Sequence, residues 1–275
     1  MINVETLLNL LNKKKINFFT GVPDSVLKQL SKKIDKFTST RHKMAVNEGS
    51  AVGIGIGHYL STKKMACVYM QNSGLGNAIN PLISIAHQKV YSIPLLLLIG
   101  WRGAPSQNDE PQHKVKGKIT PRLLKLLNIE YCILKNQKDL QKLDGLITKG
   151  KKDKKVIACL IEKNILNNVT KLKKKIYSST KKYANRKIFI KHLLKSINKK
   201  TKIISTTGHT SRELMLIRNE MKLNKGQDFY MVGGMGHALS VATGMSLQSN
   251  KQIICLDGDG SLLMHLGSMF TAGFN

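Results

Sequence analysis

Arginine and aromatic residues are both scarce. Only six of the 45 basic residues are arginine, and Phe, Trp and Tyr together make up 5% of the chain. Guanidinium groups recognise phosphates and base edges bidentately, and aromatic rings stack on bases. Their scarcity argues against a nucleic-acid partner, despite a formal net charge of +29. Lysine supplies that charge, and its runs at 13–15, 151–155 and 173–175 read as solvated faces and linkers. Cysteine is sparse too: Cys67, Cys132, Cys159 and Cys255 are widely spaced, and three lie in or beside apolar runs. Reduced, packed thiols and a cytoplasmic compartment are therefore expected. No secretory pattern opens the chain, and its longest apolar run, 93–99, is far too short to span a bilayer. Neither a membrane nor a nucleic acid is an expected partner.

What is present is an alternation of strands and helices over 275 residues, a length that allows two domains. The first half reads as helix 4–11, strand 17–20 and a turn, Gly21-Val22-Pro23-Asp24-Ser25, opening a helix through residue 30. Asp24 reads either as a cap of that helix or as a ligand group at a strand's carboxyl end, where open α/β sheets place them. Residues 44–57 read as a helix rich in glycine, whose interior glycines cost up to about 1 kcal/mol each against alanine and so imply close packing on another backbone. Glu48, in its first turn, suits the helix dipole or a functional role. Strands follow at 65–70 and 93–99, each ending in a polar, glycine-containing stretch. The loop expected over 104–117 reads as a lid, and His113 within it as a proton carrier or as inert surface. Strands at 131–134 and 156–162 close the half.

The second half reads as helix 186–197, strand 202–206, strand 229–232, a glycine-tolerant helix through 245 and strand 253–256. The glycine spacing does not fit the dinucleotide-binding fingerprint. After the last strand stands Asp257-Gly258-Asp259-Gly260-Ser261. Gly258 and Gly260 let the backbone turn sharply and approach a ligand, and a helix starting near Ser261 would favour a phosphate. A carboxylate beside a phosphate needs a divalent cation between them, so Asp259 reads as an Mg²⁺ ligand. The alternative is a capped turn.

Together these pieces resemble the thiamine-diphosphate-dependent enzymes. The runs 21–25, 69–77, 97–103, 109–113 and 206–214 are similar to the branch of that family that decarboxylates phosphonopyruvate, and the likeness covers almost the whole chain. The resemblance implies an α/β protein with two similar doubly wound parallel-sheet domains. The first, residues 1–163, would bind the pyrimidine ring. A lysine-rich linker, 164–185, would lead to a diphosphate-binding domain, 186–275, that is incomplete. It implies thiamine diphosphate and Mg²⁺ as cofactors and a small 2-keto acid as substrate. Glu48 would hold the cofactor's aminopyrimidine ring nitrogen and promote the tautomer that activates it. Asp24 and His113 match an acid/base pair. Gly208, Thr210 and Ser211 match a loop touching the diphosphate, alongside Gly258, Asp259, Gly260 and Ser261. Met235, after Gly234, matches the apolar wedge that bends the cofactor, or is a core methionine. Arg102 and Lys114 are candidates to hold the phosphonate, since that group needs fixed cations.

The family's metal motif continues with an asparagine pair beyond Asn275, so an incomplete coding sequence is expected, and poor cofactor binding by this chain alone. A homo-oligomer is also implied, with Glu48 of one subunit and Asp259 of another in one site. Sulfopyruvate as substrate, carboligation instead of protonation, and a non-catalytic basic binding protein are the alternatives.

Overall fold

Apolar runs too continuous to leave one face in water fold as strands covered on both sides. In the computed structural model, which describes residues 1–105, 107–167, 185–223 and 228–273, the chain forms two compact units, Met1–Leu172 and Lys173–Asn275. Unit 1 runs β1 (Ile2–Asn3), α1 (Val4–Lys13), β2 (Phe19–Gly21), α2 (Lys28–Ile34), β3 (His42–Met44), α3 (Glu48–Thr62), β4 (Ala66–Gln71), α4 (Leu75–Pro81), β5 (Leu95–Trp101), α5 (Pro111–Leu126), β6 (Glu130–Leu134), α6 (Asp139–Lys152), β7 (Ile157–Glu162) and β8 (Leu166–Asn167). Six of these strands make one all-parallel sheet in the order β3-β2-β4-β5-β7-β6.

Successive residues of the central strands face opposite sides, and helices cover each. Val68, Met70, Leu97 and Ile99 pack with Val52 and Ile56 of α3 and Leu124 of α5. Cys67, Tyr69, Leu96 and Leu98 pack with Leu7 of α1, Leu30 of α2 and Ile147 of α6. The winding reverses at β2: β3 lies on one side of it and the next strand, β4, on the other. Such a reversal opens a crevice beyond the carboxyl ends of the two strands. It is there that Asp24 and Gln71 emerge.

Unit 2 runs α7 (Arg186–Ser196), β9 (Lys202–Ser205), α8 (His209–Glu220), β10 (Phe229–Tyr230), α9 (Ala238–Ser246), β11 (Ile253–Leu256), α10 (Asp259–Met264) and α11 (Ser268–Gly273). Its described strands form a parallel sheet in the order β10-β9-β11, over a core of Ile190, Leu194, Ile203, Leu214 and Ile217. Both units are α/β with parallel sheets, as expected. Among the described residues no helix is long and apolar enough to cross a membrane.

Several boundaries move. The expected lid over 104–117 is loop only as far as Glu110, because Pro111 starts α5, which then continues past Gly117 and Pro121. Gly117 is required by contact: a Cβ there would stand 1.7 Å from the Gly103 carbonyl oxygen. The glycine-rich helix begins at Glu48, capped by Asn47, and Met44 belongs to β3. The helix after Asp24 begins at Lys28, and the one after β11 at Asp259. Of the expected linker, 168–184 lies outside the described residues. Leu166–Asn167 pair with Ile2–Asn3.

Gly117 and Gly145 both sit inside helices, yet a Cβ on Gly145 would meet nothing within 4 Å. Gly117→Ala is expected to lower the unfolding free energy by about 2 kcal/mol through overpacking, and Gly145→Ala to raise it by up to about 1 kcal/mol. Urea denaturation of the two variants checks this, and effects of the same sign would remove the close-packing account.

Candidate active site

Asp24 follows β2 in a tight turn, and its Oδ2 accepts from the backbone N–H of Val26 at 3.0 Å and of Leu27 at 3.3 Å. Gln71, the last residue of β4, donates its Nε2 to Asp24 Oδ1 at 2.7 Å, and Ser73 Oγ donates to Gln71 Oε1 at 2.8 Å. Gly100 of β5 makes room for the carboxylate, since a Cβ there would lie 2.0 Å from Oδ2. Asp24 is only 7% exposed. Burial pushes its pKa up, and the hydrogen bonds from Gln71 and the turn only partly oppose the rise. A carboxyl group in that state can hold and deliver a proton.

Beyond β5, Arg102 meets Asp109 as a fork: Nε donates to Oδ2 at 2.7 Å and Nη2 to Oδ1 at 2.5 Å, while the Gly103 N–H adds a bond to Oδ2 at 3.0 Å. The guanidinium hydrogen bonds hold Asp109 far below the ordinary carboxylate range. Asn72 fixes the Arg102 backbone from both sides, accepting from its N–H at 3.1 Å and donating to its carbonyl at 3.0 Å, and also reaches Thr120 Oγ1 on α5. His113, in the first turn of α5, has its Nε2 3.6 Å from Glu110 and its buried Nδ1 without a described partner. Burial, and then the positive charge of Arg102, lower its pKa. Its imidazole is therefore neutral near pH 7. Lys114 is exposed on α5, and no described hydrogen bond engages its ammonium.

Glu48 opens α3 and is 4% exposed. Asn77 Nδ2 donates to its Oε2 at 2.9 Å, and Oε1 accepts from no described donor. The carboxylate lies against the backbone at Gly74, where a Cβ would come within 2.1 Å of Oε1. Residues 71–77 thus support both buried carboxylates, Asp24 through Gln71 and Glu48 through Gly74 and Asn77.

In unit 2 the remaining candidates fall in the loops at the carboxyl ends of three parallel strands. Gly208 precedes α8 with φ of 93°, and Gly234 and Gly236 follow β10 with φ of 66° and 93°, values that favour glycine. The buried Ser261 hydroxyl joins two of the loops, accepting from Thr206 Oγ1 and the Gly236 N–H, both at 2.9 Å. Ser211 Oγ donates to the Thr206 carbonyl at 2.7 Å, and Thr210 is buried beside it in the first turn of α8. Met235 is 45% exposed, and its Cε would lie 3.2 Å from a Cβ on Gly260. Asp259 is exposed, and among the described residues its Oδ1 accepts from the Gly260 N–H at 2.8 Å.

Residues 3–121 match the N-terminal, and residues 206–275 the C-terminal, thiamine pyrophosphate binding domain of thiamine pyrophosphate enzymes. The phosphonopyruvate decarboxylase of Streptomyces viridochromogenes is 30% identical over 289 residues, which cover 99% of this chain and 70% of that protein. The one from Streptomyces hygroscopicus is 30% identical over 285 residues, 98% and 69% of the two chains. The chain belongs to the thiamine pyrophosphate enzyme family. The sulfopyruvate decarboxylase of Methanosarcina acetivorans is also similar, 29% identical over 237 residues, 79% of this chain and 59% of that one.

The residues present fit the cofactor of a thiamine pyrophosphate enzyme. Glu48 Oε1, without a described donor, is able to accept from a ring N–H, and the backbone at Gly208 faces open space where a Cβ would meet nothing within 4 Å. Asp259 offers an exposed hard oxygen suited to Mg²⁺. Gln71, Asn72, Asn77 and Asp109 escaped the reading of the sequence as site residues. Their signal was position alone, in polar runs that follow the ends of β4 and β5.

Because folding raises the Asp24 pKa above its ordinary value of 3.8, the stability held by the neutral form is full below that value and is lost as pH rises through the raised one. Asp24→Asn keeps an oxygen for the Val26 and Leu27 amides and cannot ionise. Its urea midpoint at about pH 7 is expected to equal or exceed that of the native protein, with the two converging near pH 3.5. A midpoint lower at both pH values would contradict this.

Proposed function

We propose that the protein catalyses the thiamine-diphosphate-dependent decarboxylation of 3-phosphonopyruvate to phosphonoacetaldehyde and CO₂. The observation that carries this reading is that Arg102 acts electrostatically on both Asp24 and His113, while the segment 71–77 supports both Asp24 and Glu48, in a chain alike over nearly its whole length to two phosphonopyruvate decarboxylases. When bound, thiamine diphosphate supplies the electron sink for the pair left as CO₂ departs. Glu48 anchors the aminopyrimidine ring through Oε1, while Asn77 holds Oε2. Asp24, with its raised pKa, carries the proton for the new carbon–hydrogen bond, and Gln71 aims it. His113, neutral and with Nδ1 unpartnered among the described residues, takes or returns a second proton. Arg102 uses two of its five N–H donors on Asp109 and keeps three for the phosphonate, with Lys114 as a second cation.

In unit 2, Gly208, Thr210, Ser211, Gly258, Gly260 and Ser261 shape the loops around the diphosphate, Asp259 holds Mg²⁺, and Gly234 presents Met235 to bend the cofactor. A second copy of the chain completes the assembly. Support for that partner comes from α3, the helix that Glu48 opens, where Gly53 and Gly57 leave open space and Leu60 is 55% exposed, a small-residue and apolar face on the side away from the core. The four free thiols suit a cytoplasmic setting.

The test is CO₂ release from phosphonopyruvate, sulfopyruvate and pyruvate by the protein expressed from its source gene, with thiamine diphosphate and Mg²⁺. Preference for phosphonopyruvate is expected, with a loss of about 10²-fold or more in kcat for Glu48→Gln. Preference for sulfopyruvate would transfer the reading to that substrate, and release unaffected by Glu48→Gln would remove the role of Glu48.

A further inference from the structure

A groove of unit 1 is lined by neither Asp24 nor Glu48. It is an open trough of about 1060 Å³ along β6 and α6, and Cys132 is in its wall. β6 is an edge strand, paired among the described residues with β7 alone. The register sets Cys132 opposite Cys159. Neighbouring strands run about 4.8 Å apart, inside the Cα separation of about 4.4–6.8 Å that a disulfide spans. The two thiols differ in access: Cys132 is half-buried at the groove, whereas Cys159 is fully buried behind it.

We propose that Cys132 and Cys159 form an oxidation site for a peroxide, in which Cys132 is oxidised at the groove and Cys159 closes a disulfide between β6 and β7. Their environments are matched to those roles. The hydrogen bond from Cys159 lowers the Cys132 pKa, against burial and the nearby Asp139 and with help from Lys142, whereas burial pushes the Cys159 thiol up. The accessible sulfur is thus the one with thiolate character, the form that reacts. The Cys132 thiolate attacks one peroxide oxygen, the O–O bond breaks, and sulfenic acid and hydroxide result. The Cys159 sulfur then attacks the sulfenic sulfur, the S–O bond breaks, and its thiol proton leaves with the oxygen as water. Two thiols have lost two electrons and the peroxide has gained them.

The folded protein is treated with hydrogen peroxide below stoichiometry at pH 7, quenched with N-ethylmaleimide in denaturant and digested. The expected product is a peptide pair linked through Cys132 and Cys159, both thiols disappearing together and returning with dithiothreitol. Cys67, fully buried with its pKa raised, and Cys255, pushed up to about 11, stay alkylatable. Cys132 should be consumed about 10-fold faster than Cys255, as its greater thiolate fraction requires. In Cys159→Ala, Cys132 should instead be trapped by dimedone as sulfenic acid. Consumption of Cys132 no faster than that of Cys255, or its oxidation without loss of Cys159, overturns the proposal. The native protein alone decides both points, whether or not the variant folds.

Discussion

The structure depends on two carboxylates held against backbone at the carboxyl edge of one parallel sheet. Burying an unpaired carboxylate costs several kcal/mol, and each hydrogen bond to a charged group returns about 1.5–3 kcal/mol. Asp24 receives bonds from Val26, Leu27 and Gln71, yet burial still raises its pKa. Gly100 and Gly74 make the arrangement possible, because any Cβ at either would overlap the carboxylate it supports. The fold therefore fixes two acids where the winding reverses, and it leaves one of them readily protonated.

What keeps the charges beside them in place is a short chain of polar contacts between elements. Asn72 links the end of β4 to the Arg102 backbone and to Thr120 on α5, and Trp101 Nε1 donates to the Gly117 carbonyl at 3.0 Å. Gly103 and Gly117 let the loop and the helix touch backbone to backbone. His113 and Arg102 are consequently held on one frame. The same guanidinium lowers the pKa of Asp109, by hydrogen bonding, and of His113, by repulsion. Carboxyls at one sheet edge are thus pushed in opposite directions, the pattern that separates proton carriers from fixed charges.

The central strands were legible because β4, β5 and β7 are buried on both faces and must read as apolar runs. Glu48, Asp24 and the Gly258–Ser261 turn were legible because strand ends and glycine turns mark them. β3, His42-Lys43-Met44, carries no apolar signal, since it is an edge strand with little burial. The first turns of α5 were misread as loop because Gly117 is a breaker by propensity, and a tertiary contact that no local window contains overrode it. Gln71 and Asn72 act through amides, and an amide's partner is set by the fold rather than by spacing. The hydroxyls of Ser211 and Ser261 point the same lesson from the other side: both stand in first turns of helices that suit a phosphate, yet Ser211 is engaged in closing its own loop onto Thr206 and Ser261 in tying loops together.

Under the function proposed above, the two units meet different chemical demands with parallel sheets. A carboxyl group that is to carry a proton near neutral pH needs a raised pKa, and unit 1 supplies this for Asp24 by burying it beneath glycine backbone and an amide side chain. Holding a phosphate and a divalent cation requires the reverse, backbone N–H groups and a hard oxygen that remain reachable. Unit 2 accordingly keeps its staples buried, at Ser211 and Ser261, and its Asp259 carboxylate and Met235 side chain exposed. A buried Asp259 would lose affinity for the cation by desolvation, and an exposed Asp24 would lose its proton. The burial of Asp24 thus suits unit 1, and the exposure of Asp259 unit 2, to the tasks proposed for them.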